Sequence, residues 1–385
     1  MDMTTARQGA QGRIVVALDK FKGSLPADRA VDALARGLEC ELPEATVIRA
    51  PIADGGDGTV DAAVRAGYVP HAVEVTGALG HRTTAVIAQR GTRVVVEVAN
   101  ASGDAAGSAS VRDPLGAHTF GVGEAVRAAL DLGAGEIVVG LGGSASTDGG
   151  TGMIRALGGR FLDSRGGDIP LGGAGLLQLD RIDLSLMDPR VKTTTIVMAA
   201  DVDNPLLGPS GCARVFAPQK GADPAAVELL ESAVLRLADV TRNQLGVAFA
   251  DDAGSGAAGG AGFAGLTFLG ARMDSGARVV LDIINLRDAL IGADVVVTGE
   301  GRLDAQSLRG KAPVAVAAMA RDMGVPAIAV VGTSRLNAAE ARRAGFREVH
   351  QLTDVEPDAE RARSNAGALL FRIGRSMRHI PLDTG

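Results

Sequence analysis

Five polar, glycine-rich segments of the sequence carry residues that could do chemistry. Each combines glycines that let backbone N–H groups approach an anion with hydroxyls, lysines, or acidic groups that can hold Mg²⁺ or accept a proton. Phosphoryl transfer needs this set of groups. The segments are "ALDKFKGS" (17–24), "ADGGDGT" (53–59), "GLGGSASTDGG" (140–150), "DVDNP" (201–205) with "PQKGA" (218–222), and "TGEGRLDAQSLRGK" (298–311).

The loop at 140–150 follows the apolar run "EIVVG" and contains almost nothing that could pack in a core. A plain strand-to-helix turn needs one or two glycines, whereas this stretch has several glycines together with hydroxyl side chains. We therefore predict a loop that wraps a phosphate or a small hydroxy acid. Its candidate binding residues are Gly142, Gly143, Ser144, Ser146, Asp148 and Gly149.

The first two segments place charged side chains directly after a predicted strand. Lys22 could neutralise phosphate, although a solvated lysine is the simpler interpretation, and Asp19 could equally be a turn residue. In the second segment two aspartates flank two glycines, where an Asx turn is the alternative. We predict binding roles for Asp19, Ser24, Asp54, Gly55, Gly56 and Asp57, and a catalytic role for Lys22.

The remaining segments add a second set of acidic and basic side chains. Asp201 and Asp203 end a predicted strand, where an Asp-Asn turn competes with a functional role. Glu300 and Asp304 suggest Mg²⁺ binding or proton acceptance, with salt bridges to nearby arginines as the alternative. We predict catalytic roles for Asp201 and Asp304, metal binding by Asp203 and Glu300, and substrate or phosphate binding by Lys220, Gly299, Gly301 and Lys311.

Composition excludes several classes of function. Aromatic residues make up only 3% of the 385 residues, and the net charge of −6 comes without a Lys/Arg block. We therefore predict no nucleic-acid partner and no membrane partner. Cys40 and Cys212 form no metal-ligand spacing, which argues against structural zinc. The polar stretch 1–12 predicts a disordered leader without a signal core, and hence a cytoplasmic location.

Of two sequence motifs of nucleotide binding, one is absent and the other occurs without its usual context. No G-x-x-x-x-G-K-[ST] stretch occurs, so a P-loop fold is unsupported. One G-x-G-x-x-G match, "GSGAAG" at 254–259, would suggest dinucleotide binding, but it lacks a clear preceding strand and a βαβ context. The surrounding uncharged stretch, 253–271, is mostly Gly and Ala and predicts a close-packed loop and helix rather than a membrane span.

The elements that must position these loops fall into two groups. Apolar strands alternate with helices at both ends of the chain and together predict a five-stranded parallel sheet covered on both faces. We predict that Ser24 N-caps the first helix and that the last helix spans about 359–378. The middle begins with two strand runs split by the turn "QRGTR", which indicates an antiparallel hairpin. We therefore predict an α/β domain, 13–70 plus 289–385, interrupted by a mixed α/β domain, 71–288. Two consecutive domains split near 222 are the alternative.

The same stretches resemble the type I, two-domain glycerate kinases. The matching segments are "DKFKGSL", "PIADGGDGT", "LGGSASTDGG" with "TGM", "DVDNPLLGPSGCARVFAPQKGA", "GAAGG" and "TGEGRLDAQSLRGKAP", in the family's order and over almost the whole chain. The resemblance implies a flavodoxin-like domain interrupted by a restriction-enzyme-like one. Three positions depart from the usual family pattern: Lys20, Asp57 and Thr147 stand where the family has Ser, Glu and Asn.

The resemblance also implies an activity. It is Mg²⁺-assisted transfer of the γ-phosphoryl group of ATP to D-glycerate, at the 2-hydroxyl, in a cleft between the two domains. Asp201 or Asp304 would accept the hydroxyl proton, and Lys22 or Lys311 would balance charge. The alternatives are a nicotinamide-dependent oxidoreductase built on "GSGAAG" and a non-catalytic organic-acid-binding protein. A homodimer is one possibility for the assembly.

Overall fold

The computed structural model describes residues 12–103, 112–247 and 249–380. The predicted leader therefore lies, except for its last residue, outside the described residues. The strands are β1 (Arg13–Leu18), β2 (Thr46–Arg49), β3 (Val69–Thr76), β4 (Arg82–Arg90), β5 (Arg93–Glu97), β6 (Glu136–Gly140), β7 (Arg160–Leu162), β8 (Arg181–Asp183), β9 (Thr195–Ala200), β10 (Arg272–Ser275), β11 (Val295–Gly299), β12 (Arg302–Leu303), β13 (Ala327–Val331), β14 (Thr333–Ser334) and β15 (Phe346–Gln351).

Helices connect these strands. They are α1 (Ala27–Glu41), α2 (Thr59–Arg65), α3 (Val98–Ser102), α4 (Phe120–Asp131), α5 (Thr151–Ala156), α6 (Cys212–Phe216), α7 (Pro224–Leu245), α8 (Ala257–Phe268), α9 (Gly276–Ile283), α10 (Leu286–Leu290), α11 (Ala312–Asp322), α12 (Ala338–Arg343), α13 (Leu352–Val355), α14 (Ala359–Ser364) and α15 (Ala366–Ser376). No helix in these described ranges is both long enough and apolar enough to cross a membrane.

Two compact units make up the chain. Unit 1 contains the described residues up to Asp54 and from Ala277 onward, and unit 2 contains Gly55–Gly276. The boundaries predicted from the sequence are later, after residues 70 and 288. Contacts of α2 and of α9 explain the two differences. The start of α2 is hydrogen-bonded to Glu97 at the end of β5, in unit 2, and Leu281 of α9 is buried in the core of unit 1.

Unit 1 is built on a parallel sheet with the strand order β15-β13-β11-β1-β2. In chain order this is the 2-1-3-4-5 arrangement of flavodoxin-like sheets, whose switch point lies between β1 and β11. The three central strands, β1, β11 and β13, are apolar on both faces because each face is covered. Leu34 and Leu370 pack on one side, and Leu281 and Val316 pack on the other. The predicted five-stranded parallel sheet is confirmed.

Unit 2 is built on a mixed sheet with the strand order β10-β9-β6-β5-β4-β3. β3, β4 and β5 are antiparallel neighbours, and β5, β6, β9 and β10 are parallel. The sequence predicts two strand runs in the stretch 71–99, whereas the structure has three strands. The missed turn is at Gly77–His81, where Gly77 N donates to His81 O at 2.7 Å and Gly80 has a φ of +85°.

Two predicted helix details are also wrong. The last helix, predicted over 359–378, is divided into α14 and α15 because Asn365 has a non-helical φ of −108°. Ser24 does not cap α1, since that helix begins at Ala27, after Pro26. The "GSGAAG" stretch follows a short 3₁₀ helix (Phe249–Asp251), so it lacks the strand that a dinucleotide fingerprint requires.

Candidate active site

A cavity of unit 1 brings together candidate residues from separate stretches of the sequence. Its volume is about 850 Å³, a size typical of small-molecule sites. Loops that follow the carboxyl ends of β1, β11, β13 and β15 line it, which is where doubly wound sheets bind ligands. The predicted site residues in its lining are Asp19, Lys22, Ser24, Asp54, Glu300, Gly301, Asp304 and Lys311.

Asp19 directly follows β1 and is 6% exposed. Its N–H donates to Gly299 O at 2.9 Å, and its carboxylate accepts a hydrogen bond from Lys20 N at 2.6 Å. Burial, together with the carboxylates of Asp54 and Glu300, raises the pKa of Asp19 to about 8. An acid in these surroundings is stabilised by a proton or by a bound cation.

Glu300 follows β11 and belongs to the same group of charges. Burial raises the pKa of Glu300, against the opposing effects of a hydrogen bond from Ser307 and the ammonium group of Lys311. Ser307 Oγ donates to Glu300 Oε1 at 2.5 Å. Ser307 is not predicted from the sequence, because a serine seven residues away in an irregular segment gives no periodic signal of such a contact.

Asp304 and Lys311 occupy the far end of the same segment. Asp304 accepts a hydrogen bond from Gln306 N at 2.9 Å, and its carboxylate lies 3.0 Å from Arg302 Nε. The ion pair that the sequence analysis gave as an alternative is therefore present. Lys311 is the N-cap residue of α11 and lines the cavity.

A tight turn at 21–25 presents Lys22 to the cavity. Phe21 N donates to Leu25 O and Ser24 N donates to Phe21 O, both at 2.8 Å. Gly23 has a φ of +72° and open space around it, so the turn requires glycine for its backbone conformation alone. Ser24 Oγ donates to the backbone oxygen of Arg363 in α14, which ties the turn to that helix.

The two predicted binding glycines at the end of β11 and in the loop after it are required for different reasons. A Cβ on Gly299 would lie 1.7 Å from Val330 O, so sheet packing alone excludes a side chain there. A Cβ on Gly301 would lie 3.3 Å from Lys22 N. Gly301 therefore lets the loop after β11 approach the Lys22 turn closely.

In unit 2 the glycine loop after β6 packs against the loop that precedes α2. A Cβ on Gly142 would lie 2.3 Å from Gly56 Cα, and one on Gly55 would lie 2.4 Å from Gly276 Cα. Gly143 and Gly55 have φ values of +70° and +80°. The glycines therefore allow the two backbones to approach closely. As a result, exposed Asp57 lies next to the glycine loop after β6.

Two predicted side chains of this loop are fully buried. Asp148, 0% exposed, accepts hydrogen bonds from Thr119 N, Thr119 Oγ1, Gly150 N and Gly152 N at 2.8 to 3.1 Å. Ser146 is also 0% exposed, and Lys220 Nζ donates to its backbone oxygen. Hydrogen bonds of these two buried residues stabilise the loop within unit 2. The sequence alone could not distinguish this structural role from ligand binding.

Other members of the loop complete its internal bonding. Ser144 Oγ accepts a hydrogen bond from Ser146 N at 3.1 Å and is partly exposed. Gly149, with a φ of +64°, donates from its N–H to Gly259 O at 3.0 Å. The "GSGAAG" stretch therefore packs against the glycine loop.

Glu97, at the end of β5, is a residue that the sequence analysis missed. It is 3% exposed and accepts hydrogen bonds from Gly58 N at 3.1 Å and Val60 N at 3.0 Å, at the start of α2. Burial raises the pKa of Glu97 to about 7, and the nearby carboxylates of Asp57 and Asp61 act in the same direction. The sequence does contain a signal for this residue, because Glu97 is the one acidic residue in the otherwise apolar run "VVVEVA".

Asp201 and Asp203 lie in the loop after β9. Asp201 Oδ1 accepts a hydrogen bond from Ser275 Oγ at 3.0 Å, and Asp203 is exposed. The loop joins the "GSGAAG" stretch through Gly256 N, which donates to Asn204 O at 2.9 Å. Unit 2 thus gathers the loops at 55–59, 140–150, 201–205 and 254–260.

Comparison with known proteins gives one family. The profile of the glycerate kinase family matches residues 14–380. A glycerate kinase of Bacillus subtilis is 40% identical over 369 residues, which cover 95% of this chain and 96% of that protein. A glycerate 2-kinase of Escherichia coli is 42% identical over 325 residues, with coverage of 83% and 85%.

A solved structure gives the same result. A crystal structure from Salmonella typhimurium LT2, described as that of a glycerate kinase 2, superposes with a TM-score of 0.80 at 39% sequence identity. The match covers 96% of this chain and 99% of the other. The mixed α/β architecture, with one parallel and one mixed sheet, is therefore that of a solved relative.

Proposed function

The chain belongs to the glycerate kinase family, and we propose that this glycerate kinase transfers the γ-phosphoryl group of ATP to the 2-hydroxyl of D-glycerate with the help of Mg²⁺. The name of the Escherichia coli relative supports the choice of the 2-hydroxyl. Neither the oxidoreductase nor the non-catalytic alternative gains support from any of the relatives.

The observation that carries the proposal is the charge arrangement in the cavity of unit 1. Lys22 and Lys311 line it together with Asp19, Asp54 and Glu300. Lysines neutralise the charge of the transferred group, and backbone N–H groups of the glycine-rich loops add donors to phosphate oxygens. Such a site accelerates transfer by positioning the reactants and by offsetting charge.

The acidic side chains of this cavity also fit Mg²⁺. Mg²⁺ is held through one or two carboxylates and the substrate phosphates. In the described residues no three His, Cys, Asp or Glu side chains form a ready metal site. Burial, together with neighbouring carboxylates that include Asp54, raises the pKa of Asp19 and of Glu300, so positive charge is favoured beside them. Glu300 and Asp54 would hold the ion, whose chemistry is neutralisation of phosphate charge.

Two aspartates are candidates for the group that accepts the hydroxyl proton. Asp304 lines the cavity of unit 1, and Asp201 lies in unit 2, fixed by Ser275. A general base contributes about 10²- to 10⁴-fold to the rate. We expect one of the variants Asp304→Asn and Asp201→Asn to lower kcat by this factor while the KM for glycerate stays nearly constant. The aspartate replaced in that variant is the base.

The reaction is tested by measuring ADP release with D-glycerate and identifying the product by phosphorus NMR. We expect ADP formation that requires glycerate, 2-phosphoglycerate as the product, and loss of turnover when EDTA removes divalent cations. A 3-phosphoglycerate product would contradict the choice of hydroxyl. ADP formation that ignores glycerate would contradict the reaction.

A further inference from the structure

A single buried serine connects the acidic residues of the loop that follows β11. Ser307 is 0% exposed, although Gln306 and Leu308 on either side of it are exposed. Its hydroxyl accepts a hydrogen bond from Asp304 N at 3.2 Å and lies 2.5 Å from Glu300 Oε1. The serine therefore faces inward from an exposed segment and bonds to two residues that line the cavity of unit 1.

The direction of the serine proton follows from the acceptors around it. A hydroxyl has one proton, and Ser307 Oγ has two acceptors within reach, Glu300 Oε1 at 2.5 Å and Arg302 O at 3.3 Å. Hydrogen bonds from a hydroxyl to a carboxylate are typically about 2.5 to 2.7 Å long and are stronger than those between neutral groups. The proton is therefore donated to Glu300. This bond fixes the rotation of the carboxylate and leaves Oε2 as the oxygen for a ligand in the cavity.

The orientation of Glu300 bears on which cation the cavity selects. Mg²⁺ requires near-ideal octahedral geometry, and the two oxygens of one carboxylate lie too close together to occupy two corners of an octahedron around so small an ion. The larger Ca²⁺ readily binds both oxygens of a carboxylate. We propose that Ser307 is a positioning residue that limits Glu300 to one cation-binding oxygen and thereby favours Mg²⁺ over Ca²⁺, an inference that rests on the proposed function. Loss of a hydrogen-bond partner of a metal-binding carboxylate typically costs about 10- to 100-fold in metal affinity.

The inference is tested on the nucleotide-free protein with Mn²⁺ as the probe. The electron paramagnetic resonance signal of free Mn²⁺ reports its binding, and displacement of Mn²⁺ by Mg²⁺ or by Ca²⁺ gives the Kd of each ion. Ser307→Ala should raise the Kd of Mg²⁺ about tenfold or more and the Kd of Ca²⁺ less than about threefold. The backbone bonds of residue 307 with Asp304 O and Lys311 N remain in this variant, so only the hydroxyl contacts are lost.

Thr241→Val is the matched control for the loss of a buried hydroxyl. Thr241 is also 0% exposed, and its Oγ1 donates to Leu237 O at 2.7 Å within α7, outside the cavity lining. This variant loses one hydrogen bond and should leave the Kd of both cations unchanged. A change of the Mg²⁺ and Ca²⁺ affinities in Thr241→Val as large as that in Ser307→Ala would contradict a specific role of Ser307.

A double-mutant cycle separates positioning of Glu300 from a general loss of structure. In a Glu300→Gln background, where the carboxylate is missing, Ser307→Ala should change the Kd of Mg²⁺ by less than about twofold. An unchanged ratio of the Mg²⁺ and Ca²⁺ Kd in Ser307→Ala, or an equal loss of Mg²⁺ affinity with and without the Glu300 carboxylate, would overturn the inference. An unchanged Mg²⁺ Kd in Glu300→Gln alone would overturn it together with the assignment of Glu300 to the cation. Failure of the phosphoryl-transfer proposal would be seen separately, in the ADP assay of the unaltered protein.

Discussion

Replacing Glu97 by glutamine is expected to change how the stability of the protein depends on pH. The carboxylate is almost fully buried and accepts two hydrogen bonds, from Gly58 and Val60. Its pKa is nevertheless raised from 4.5 to about 7, because the desolvation of the charge outweighs those bonds. The shift corresponds to about 3 kcal/mol between the protonated and the ionised forms.

The sign of the effect follows from the direction of the pKa change. The folded protein holds the Glu97 proton more tightly than the unfolded chain does. The stabilisation is therefore complete below pH 4.5 and is lost as the pH rises to about 7. Glutamine has nearly the same shape and cannot ionise. Relative to Glu97→Gln, the unaltered protein should lose about 3 kcal/mol of unfolding free energy between pH 4.5 and pH 8.

Urea unfolding at pH 4.5, 6 and 8 measures this difference. Hydrogen-bond changes that do not depend on pH cancel between the three conditions, and other titrating groups are common to both proteins. The matched control Glu44→Gln removes an exposed carboxylate and should show no comparable trend. A stability difference that stays within about 1 kcal/mol across the series would refute the burial argument, since the shift corresponds to about 3 kcal/mol.

Two further predictions concern the glycine loop of unit 2. Gly142→Ala should lower kcat/KM for glycerate tenfold or more, because its Cβ would lie 2.3 Å from Gly56 Cα and force the two loops apart. Gly135→Ala, whose Cβ has no neighbour closer than 3.4 Å, is the control, and equal effects of both would contradict the steric reason. Asp148→Asn should cost about 2 kcal/mol in unfolding free energy, since one of four accepted hydrogen bonds is lost. A thermal transition unchanged from the parent would count against this role.

The sequence predicts the parts of the fold that depend on local pattern. Continuous apolar runs such as β1 and β11 identify buried parallel strands, and the alternation with helices identifies their sheet. The prediction fails where one residue changes the chain direction. Gly80 turns β3 into β4 with its positive φ, and Asn365 ends α14 inside a pattern that is otherwise helical. In both places the chain direction changes at one residue, and hydrophobic periodicity, which is read over many residues, does not detect such a change.

The candidate site shows the same limit for charged residues. Asp19 and Asp148 are the same residue type in glycine-rich loops after strands, and both are buried. Asp148 is surrounded by four hydrogen-bond donors, so its charge is compensated within unit 2. Asp19 accepts a hydrogen bond from the Lys20 N–H, and burial together with two nearby carboxylates raises the pKa of Asp19 to about 8. The number of hydrogen-bond donors around each carboxylate therefore distinguishes these two buried aspartates. A buried carboxylate with many hydrogen-bond donors stabilises the fold. A buried carboxylate with other carboxylates nearby favours the binding of a cation.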